Sequence, residues 1–174
     1  MLSVLIEVLD DEAELAATLT VLVAGAVEGL VSDVVILDRG SRDGSSAVAD
    51  AAGCLFLSGV TLTDAVTRTR GDWLLLLEPG ARPMGRWVEE IGEHLAIGGG
   101  PARLTPARQF RRSFLTRLTR RQGPLENGCL VRKADALRLA GGATTLAALA
   151  VAIRPKRMAS EIAPAWVARR QRGG

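Results

Sequence analysis

The chain has 174 residues, 48% of them apolar and 24% charged, with a mean hydropathy of +0.19 and a formal charge of +3. That length and apolar content build one ordinary core, so a second full domain and wholesale disorder are both excluded. Residues 1–100 carry 6 Lys/Arg against 16 Asp/Glu, whereas 101–174 carry 16 against 3, so the second part is expected to face an anionic partner.

In chain order, Leu2 to Ile6 is a nearly unbroken apolar run, expected as a buried strand, and the acids at 10–12 mark the start of a helix. Leu15, Leu19, Leu22, Val23 and Ala26 recur at helical spacing, and Asp11 with Glu14 is spaced as a capping box. Residues 34–37 and 54–57 read as two more short strands, with a small helix around Ala47 to Ala52 between them. A helix over 62–69, a strand over 73–77 and a helix with the stripe Met84, Trp87, Val88, Ile91 and Leu95 follow, closed by Gly98-Gly-Gly-Pro101. Beyond 101 the regularity weakens to a strand over 127–133 and a helix over 134–140 stopped by Gly141-Gly142, and the basic tail is expected to be loose from Val167.

Strands alternating with helices at this spacing predict an α/β fold with an open, mostly parallel sheet and helices on both faces. Ligands of such sheets sit at the carboxyl ends of the strands, here the loops after Ile6, Leu37 and Leu77. Cys54 and Cys129 have no CxxC spacing and His94 is the single histidine, so a disulfide scaffold and a structural zinc site are not expected and a cytoplasmic location is. The N-terminus lacks a basic signal-peptide region, and the charge-free stretch 139–153 is shorter than the ~20 residues a membrane span needs.

The most informative segment is Asp38-Arg-Gly-Ser-Arg-Asp-Gly-Ser45, an acid at a strand's carboxyl end followed by a glycine-rich turn into a helix. Asp38 could accept hydrogen bonds from a base or ribose. Alternatively the segment is a capped turn with Asp43 at the helix N-cap. With Gly71-Asp-Trp-Leu-Leu-Leu-Leu-Glu78 and Gly128-Cys-Leu-Val-Arg-Lys133, it makes residues 2–142 resemble the inverting nucleotide-sugar glycosyltransferases of family 2, which have the GT-A fold with its Rossmann-like nucleotide-binding half. The matched segments are 3–12, 38–45 and 70–80.

The resemblance implies a GT-A-like domain over 1–142, with 143–174 a C-terminal extension of it. It implies transfer of a sugar from a nucleoside diphosphate sugar to an acceptor, lipid-linked in many family members. Nucleotide-binding candidates are Asp10, Asp11, Asp38, Arg39 and Ser41, and Arg42 and Arg82 are candidates for phosphate contact. The family's Leu-Asp-Ala-Asp stands here as Leu77-Glu78-Pro79-Gly80, which leaves Glu78 as the sole catalytic candidate and puts Gly80 where the family's Mg²⁺- or Mn²⁺-binding Asp belongs. Residues 143–150, directly after Gly141-Gly142 where the family places its general base, contain no acid.

The second expected functional segment is a helix over 108–121. Phe110, Phe114 and Leu118 form its apolar stripe, Arg108, Arg112, Arg117 and Arg120 lie elsewhere on the wheel, and Arg111 falls inside the apolar arc. Such a helix would lie peripherally on an anionic membrane surface or on a partner protein, or, as a solvated helix, would pack Phe110 and Phe114 on the domain. This supports an alternative reading, a non-catalytic glycosyltransferase-like protein acting through its basic half. Nucleic acid is not an expected partner, since no helix-turn-helix or RNP pattern appears and aromatics total 3%. Nucleotidylyltransferases and dinucleotide-binding oxidoreductases need a glycine-rich loop after the first strand, and residues 7–12 contain no glycine.

Overall fold

Val4, Leu5 and Ile6 are all fully buried because strand β1 (Leu2–Val8) lies inside a sheet covered on both faces. The computed structural model describes residues 1–111 and 123–172. The further strands are β2 (Val31–Asp38), β3 (Leu55–Ser58), β4 (Trp73–Leu77), β5 (Arg82–Met84), β6 (Ala102–Pro106), β7 (Cys129–Arg132) and β8 (Lys156–Ala163). They form one sheet in the order β3-β2-β1-β4-β7-β6-β8-β5. β1, β2, β3 and β4 pair in parallel, and β6 pairs in parallel with β8. β7 runs antiparallel to β4 and β6, as does β5 to β8.

The two-residue period of a strand divides the apolar side chains between two cores. Leu2, Val4, Ile6, Leu75 and Leu77 face one core with Leu15, Leu19 and Leu22 of helix α1 (Glu12–Val27) and with Trp87 and Ile91 of helix α4 (Trp87–Ala96). Leu5, Leu74 and Leu76 face the other, covered by helices α3 (Leu62–Arg68), α5 (Lys133–Ala140) and α6 (Leu146–Ile153). Helix α2 (Ser45–Ala51) adds Ala49 to the first core, and helix α7 (Ala165–Arg172) adds Ala165. This is the expected α/β architecture with helices on both faces. No helix among the described residues is long and apolar enough to cross a membrane.

Five expectations are corrected. The Asp11–Glu14 capping box does not form: Asp11 accepts the Leu9 N–H at 3.1 Å, and the Glu12 N–H is capped instead by Asp43 Oδ2, 2.9 Å away in the loop after β2. Val23 is 59% exposed, because one position past Leu22 the helix has turned away from the core. Met84 belongs to β5 rather than to the helical stripe, since residues 82–84 pair with β8 before the helix begins at Trp87. The tail from Val167 is helical and Val167 is 6% exposed, packed rather than loose.

Finally, no helix starts at Arg108. Residues Arg108–Phe110 make one 3₁₀ turn and Arg111 is extended (φ −69°, ψ 123°). The turn is pinned to the sheet by the Ala107 N–H on the Ile162 carbonyl (2.9 Å) and the Phe110 N–H on the Ala107 carbonyl (2.8 Å). Arg108 is exposed and Phe110 half-buried, while Arg112, Phe114, Arg117, Leu118 and Arg120 lie outside the described residues.

Candidate functional site

Three loops leave the sheet at the same edge. Register places Val8 beside Asp38, Asp38 beside Ser58 and Ile6 beside Leu77, all in parallel strands, so the segments after β1, β2 and β4 meet at their carboxyl ends. Asp10, Asp11, Asp38, Ser41 and Glu78 are thereby brought to one edge.

The first two loops are tied to each other. Asp10 has a left-handed backbone (φ 55°), a conformation Asp tolerates better than most residues. Its N–H donates to Ser41 Oγ at 3.0 Å, and its Oδ1 accepts the Arg42 N–H at 2.7 Å. Two residues on, the Glu12 N–H donates to Asp43 and the Gly44 N–H donates to Glu12 Oε2 at 3.0 Å. A Cβ on Gly44 would stand 2.5 Å from the Glu12 carboxyl carbon, so only glycine leaves room for this exchange. Asp43 also accepts the Ser45 N–H at 3.0 Å, bracing the start of α2, whose N-cap is Gly44.

Asp38, 7% exposed, organises its own turn: Oδ1 accepts the Ser41 N–H (2.9 Å) and Oδ2 accepts the Gly40 N–H (3.2 Å) and the Ser58 hydroxyl (2.8 Å). Burial pushes its carboxyl up, but the bonds from Ser41, Ser58 and Gly40 outweigh burial and hold it below the ordinary value. Arg39 is equally engaged. Its guanidinium pairs with Glu7 Oε1 and reaches the Thr144 carbonyl at 2.5 Å, while Glu7 Oε2 accepts the Leu146 N–H at 2.7 Å. One ion pair thus fastens the start of α6 to the edge of the sheet.

Glu78 is half-buried just after β4. Burial pushes its carboxyl up, Arg169 of α7 opposes this, and the neighbouring Glu126 and Asp11 push it further up. Glu126, 6% exposed, accepts the Gly123 N–H at 3.2 Å, and a Cβ on Gly123 would lie 3.3 Å from Glu78 Oε1. Sequence reasoning singled out neither Glu126 nor Arg169. Glu126 had a sign, being one of three acids in the basic half; Arg169 had none, being one arginine among many.

Gly80 is buried with φ +90°, and its N–H donates to Thr18 Oγ1 at 2.8 Å. A Cβ there would stand 3.0 Å from the Ala168 Cβ and 3.1 Å from the Ala165 carbonyl, so α7 covers this position. A divalent ion of the Mg²⁺ or Mn²⁺ type asks for several oxygen ligands. This loop offers Glu78 alone, and no group of three acid, His or Cys side chains among the described residues is placed to hold a metal. The residues present do not fit such an ion. Of the phosphate candidates, Arg42 is exposed beside the interlocked loops, and Arg82 in β5 has a buried Nε with no hydrogen-bond partner among the described residues.

The fold is that of GT-A-like glycosyltransferases. The chain is similar to glucosyl-3-phosphoglycerate synthase from Mycobacterium tuberculosis at 20% identity and a TM-score of 0.58, covering 78% of this chain and 58% of that one. A complex of the same synthase with Mn²⁺, uridine diphosphate and glucosyl-3-phosphoglycerate superposes at 18% identity and a TM-score of 0.55, with the same coverage. A further mycobacterial protein matches at 22% identity and a TM-score of 0.57, over 78% of this chain and 54% of that one. The chain therefore spans less than two thirds of the length of these neighbours. No protein-family model and no curated protein matches it.

Proposed function

We propose that this protein binds a nucleoside diphosphate sugar at the carboxyl edge of its sheet and acts as an inverting glycosyltransferase related to family 2. The observation that carries the reading is the interlocked pair of loops, with Asp10 bonded to Ser41 and Arg42 and Asp38 holding the Ser41 turn, at the carboxyl edge where open α/β sheets take ligands. Structural neighbours that hold uridine diphosphate and uridine diphosphate-glucose support a uridine nucleotide as the donor.

In this reading the interlocked loops face the base and ribose, Asp38 acting by fixing the turn. Arg42, Arg82 and Arg169 meet the diphosphate charge, a role for which a guanidinium fork suits two phosphate oxygens. Glu78 is the base: it takes the acceptor hydroxyl proton, the acceptor oxygen attacks the anomeric carbon, and the nucleoside diphosphate leaves from the opposite side. A carboxyl raised by its surroundings is better matched to that task at neutral pH than an ordinary one. No step runs through a metal.

The covered Gly80 favours a second reading, a nucleotide-binding protein without transfer activity that works through its basic half on a partner protein or anionic membrane surface. Calorimetric titration with UDP and GDP separates the possibilities. UDP is expected to bind with similar affinity in Mn²⁺ and in EDTA. A gain of about tenfold or more with Mn²⁺, equivalent to ~1.4 kcal/mol, would show that other acids complete a metal site, and no binding of either nucleotide would sink the donor-site reading. Binding without turnover of UDP-sugars would select the second reading.

A further inference from the structure

The opposite end of the sheet holds a cavity that the donor site leaves unused. Lys156 and Ala102, the first residues of β8 and β6, are paired, and both strands run in the direction of β4. His94 meets Trp73, the first residue of β4, edge to face at 5.9 Å. The cavity of about 400 Å³ between these elements is thus at the amino ends of the strands, away from Asp38 and Glu78. Its size falls in the range of sites for small organic ligands.

Its lining includes Arg154, Lys156 and Arg157 and no carboxylate. Arg154 and Lys156 are exposed and make no ion pair among the described residues. Arg157 is braced through its Nε on Thr105 Oγ1 at 2.8 Å, which aims the guanidinium without neutralising it. Three uncompensated cations around one concavity repel each other, and a multiply charged anion relieves all three at once. The apolar wall formed by Ala102, Ile153 and Met158 suits an organic portion attached to that anion.

Arg154 adds a second observation. It ends α6 in the left-handed conformation (φ 53°, ψ 59°), where glycine is the usual residue and any L side chain is disfavoured. The turn therefore does not account for an arginine there, whereas the cavity does.

We propose that this cavity binds a phosphate-bearing organic anion, presented by a free metabolite or by a phospholipid headgroup. The test uses the full chain, titrated with glycerol 3-phosphate in one arm and sedimented with phosphatidylcholine vesicles, with and without phosphatidic acid, in the other. The Arg154→Gly/Lys156→Ala variant is expected to lose about tenfold or more in affinity. Arg86→Ala/Arg138→Ala removes the same charge from exposed helical pairs elsewhere and should change affinity less than about twofold. Both cavity residues are exposed and glycine suits position 154, so the variant should fold, and Lys156→Glu alone serves as a second probe. Backbone amide shifts on adding glycerol 3-phosphate should concentrate at Gly100, Ala102, Arg154 and residues 156–158. Binding confined to the free phosphate or to the vesicles identifies the source of the anion. Absence of binding in both arms, equal losses in the cavity and control variants, or shifts confined to 38–45 would overturn the proposal.

Discussion

Gly80 and Ala168 approach so closely that a Cβ on Gly80 would lie 3.0 Å from the Ala168 Cβ. The contact joins the loop after β4 to the C-terminal helix, and with it the glycine's positive φ makes the position intolerant of any side chain. Gly80→Asp, the substitution that would rebuild the family's acid pair, is therefore expected to destabilise the fold by about 2–4 kcal/mol through left-handed strain and overpacking. Urea unfolding measures the loss. A variant of wild-type stability that also gained Mn²⁺-dependent UDP affinity would show that α7 yields and that the loop can be a metal site.

Glu78 should make stability fall as pH rises. Its folded-state carboxyl is raised, chiefly by burial, so between the unfolded value and the folded one the native state holds the extra proton, and ionisation above that window costs stability. Glu78→Gln removes the cost. Thermal melts are expected to show the variant above wild type at pH 7 and no advantage at pH 4. A variant less stable than wild type at pH 7 would mean that the charge, held by Arg169, is a net asset.

Asp38 behaves in the opposite sense. Its carboxyl is lowered, the bonds from Ser41, Ser58 and Gly40 exceeding the effect of burial, so its contribution is present above the unfolded value and lost as pH falls through the folded one. Asp38→Asn keeps the shape, but its amide nitrogen cannot accept, so the N–H bond on one side of the carboxylate is lost, at an expected cost of roughly 1–3 kcal/mol at pH 7. The difference from wild type should shrink in acid. A pH-independent difference would assign the loss to packing instead.

The Arg39–Glu7 pair should prove worth more than a surface ion pair, since Arg39 also binds the Thr144 carbonyl and Glu7 the Leu146 N–H. Arg39→Met leaves the Glu7 carboxylate half-buried with one partner fewer, at an expected cost of roughly 1–3 kcal/mol. A double-mutant cycle with Glu7→Gln isolates the coupling. Coupling near zero would reduce the pair to an ordinary surface contact.

Neither cysteine should react readily. Burial pushes the Cys54 thiol up to about 11 and the Cys129 thiol up to about 12, so at pH 8 about one Cys54 in a thousand is thiolate, and fewer of Cys129. Slow labelling by a disulfide reagent in buffer, and rapid labelling in urea, is the expected pattern. Fast labelling of the folded chain would show that one of the thiols opens to solvent.

Much of the fold could be read from local pattern. The runs 34–37 and 73–77 are apolar without alternation, which marks strands buried on both faces, and their spacing from the helical stripes of α1 and α4 dictates parallel pairing. The same local grammar placed Asp38 at a strand end before a glycine turn. Beyond residue 101 it still marked β7 and α5 but missed β6 and β8, which are mixed in polarity and held by partners far along the chain.

What only the tertiary structure decided is who surrounds each side chain. Glu78 is a carboxyl at a strand end in the sequence, but its proton affinity is set by burial, by Arg169, by Glu126 and by Asp11, which lie 91, 48 and 67 positions away along the chain. Gly80 is only a missing acid until α7 closes over it, and Arg154, Lys156 and Arg157 are three unremarkable cations until β6 and β8 pair around them. Hydrophobic periodicity is a property of neighbours in sequence and so fixes which segments are strands or helices. Electrostatic and steric environments depend on distances of a few ångströms, which arise only when remote segments pack.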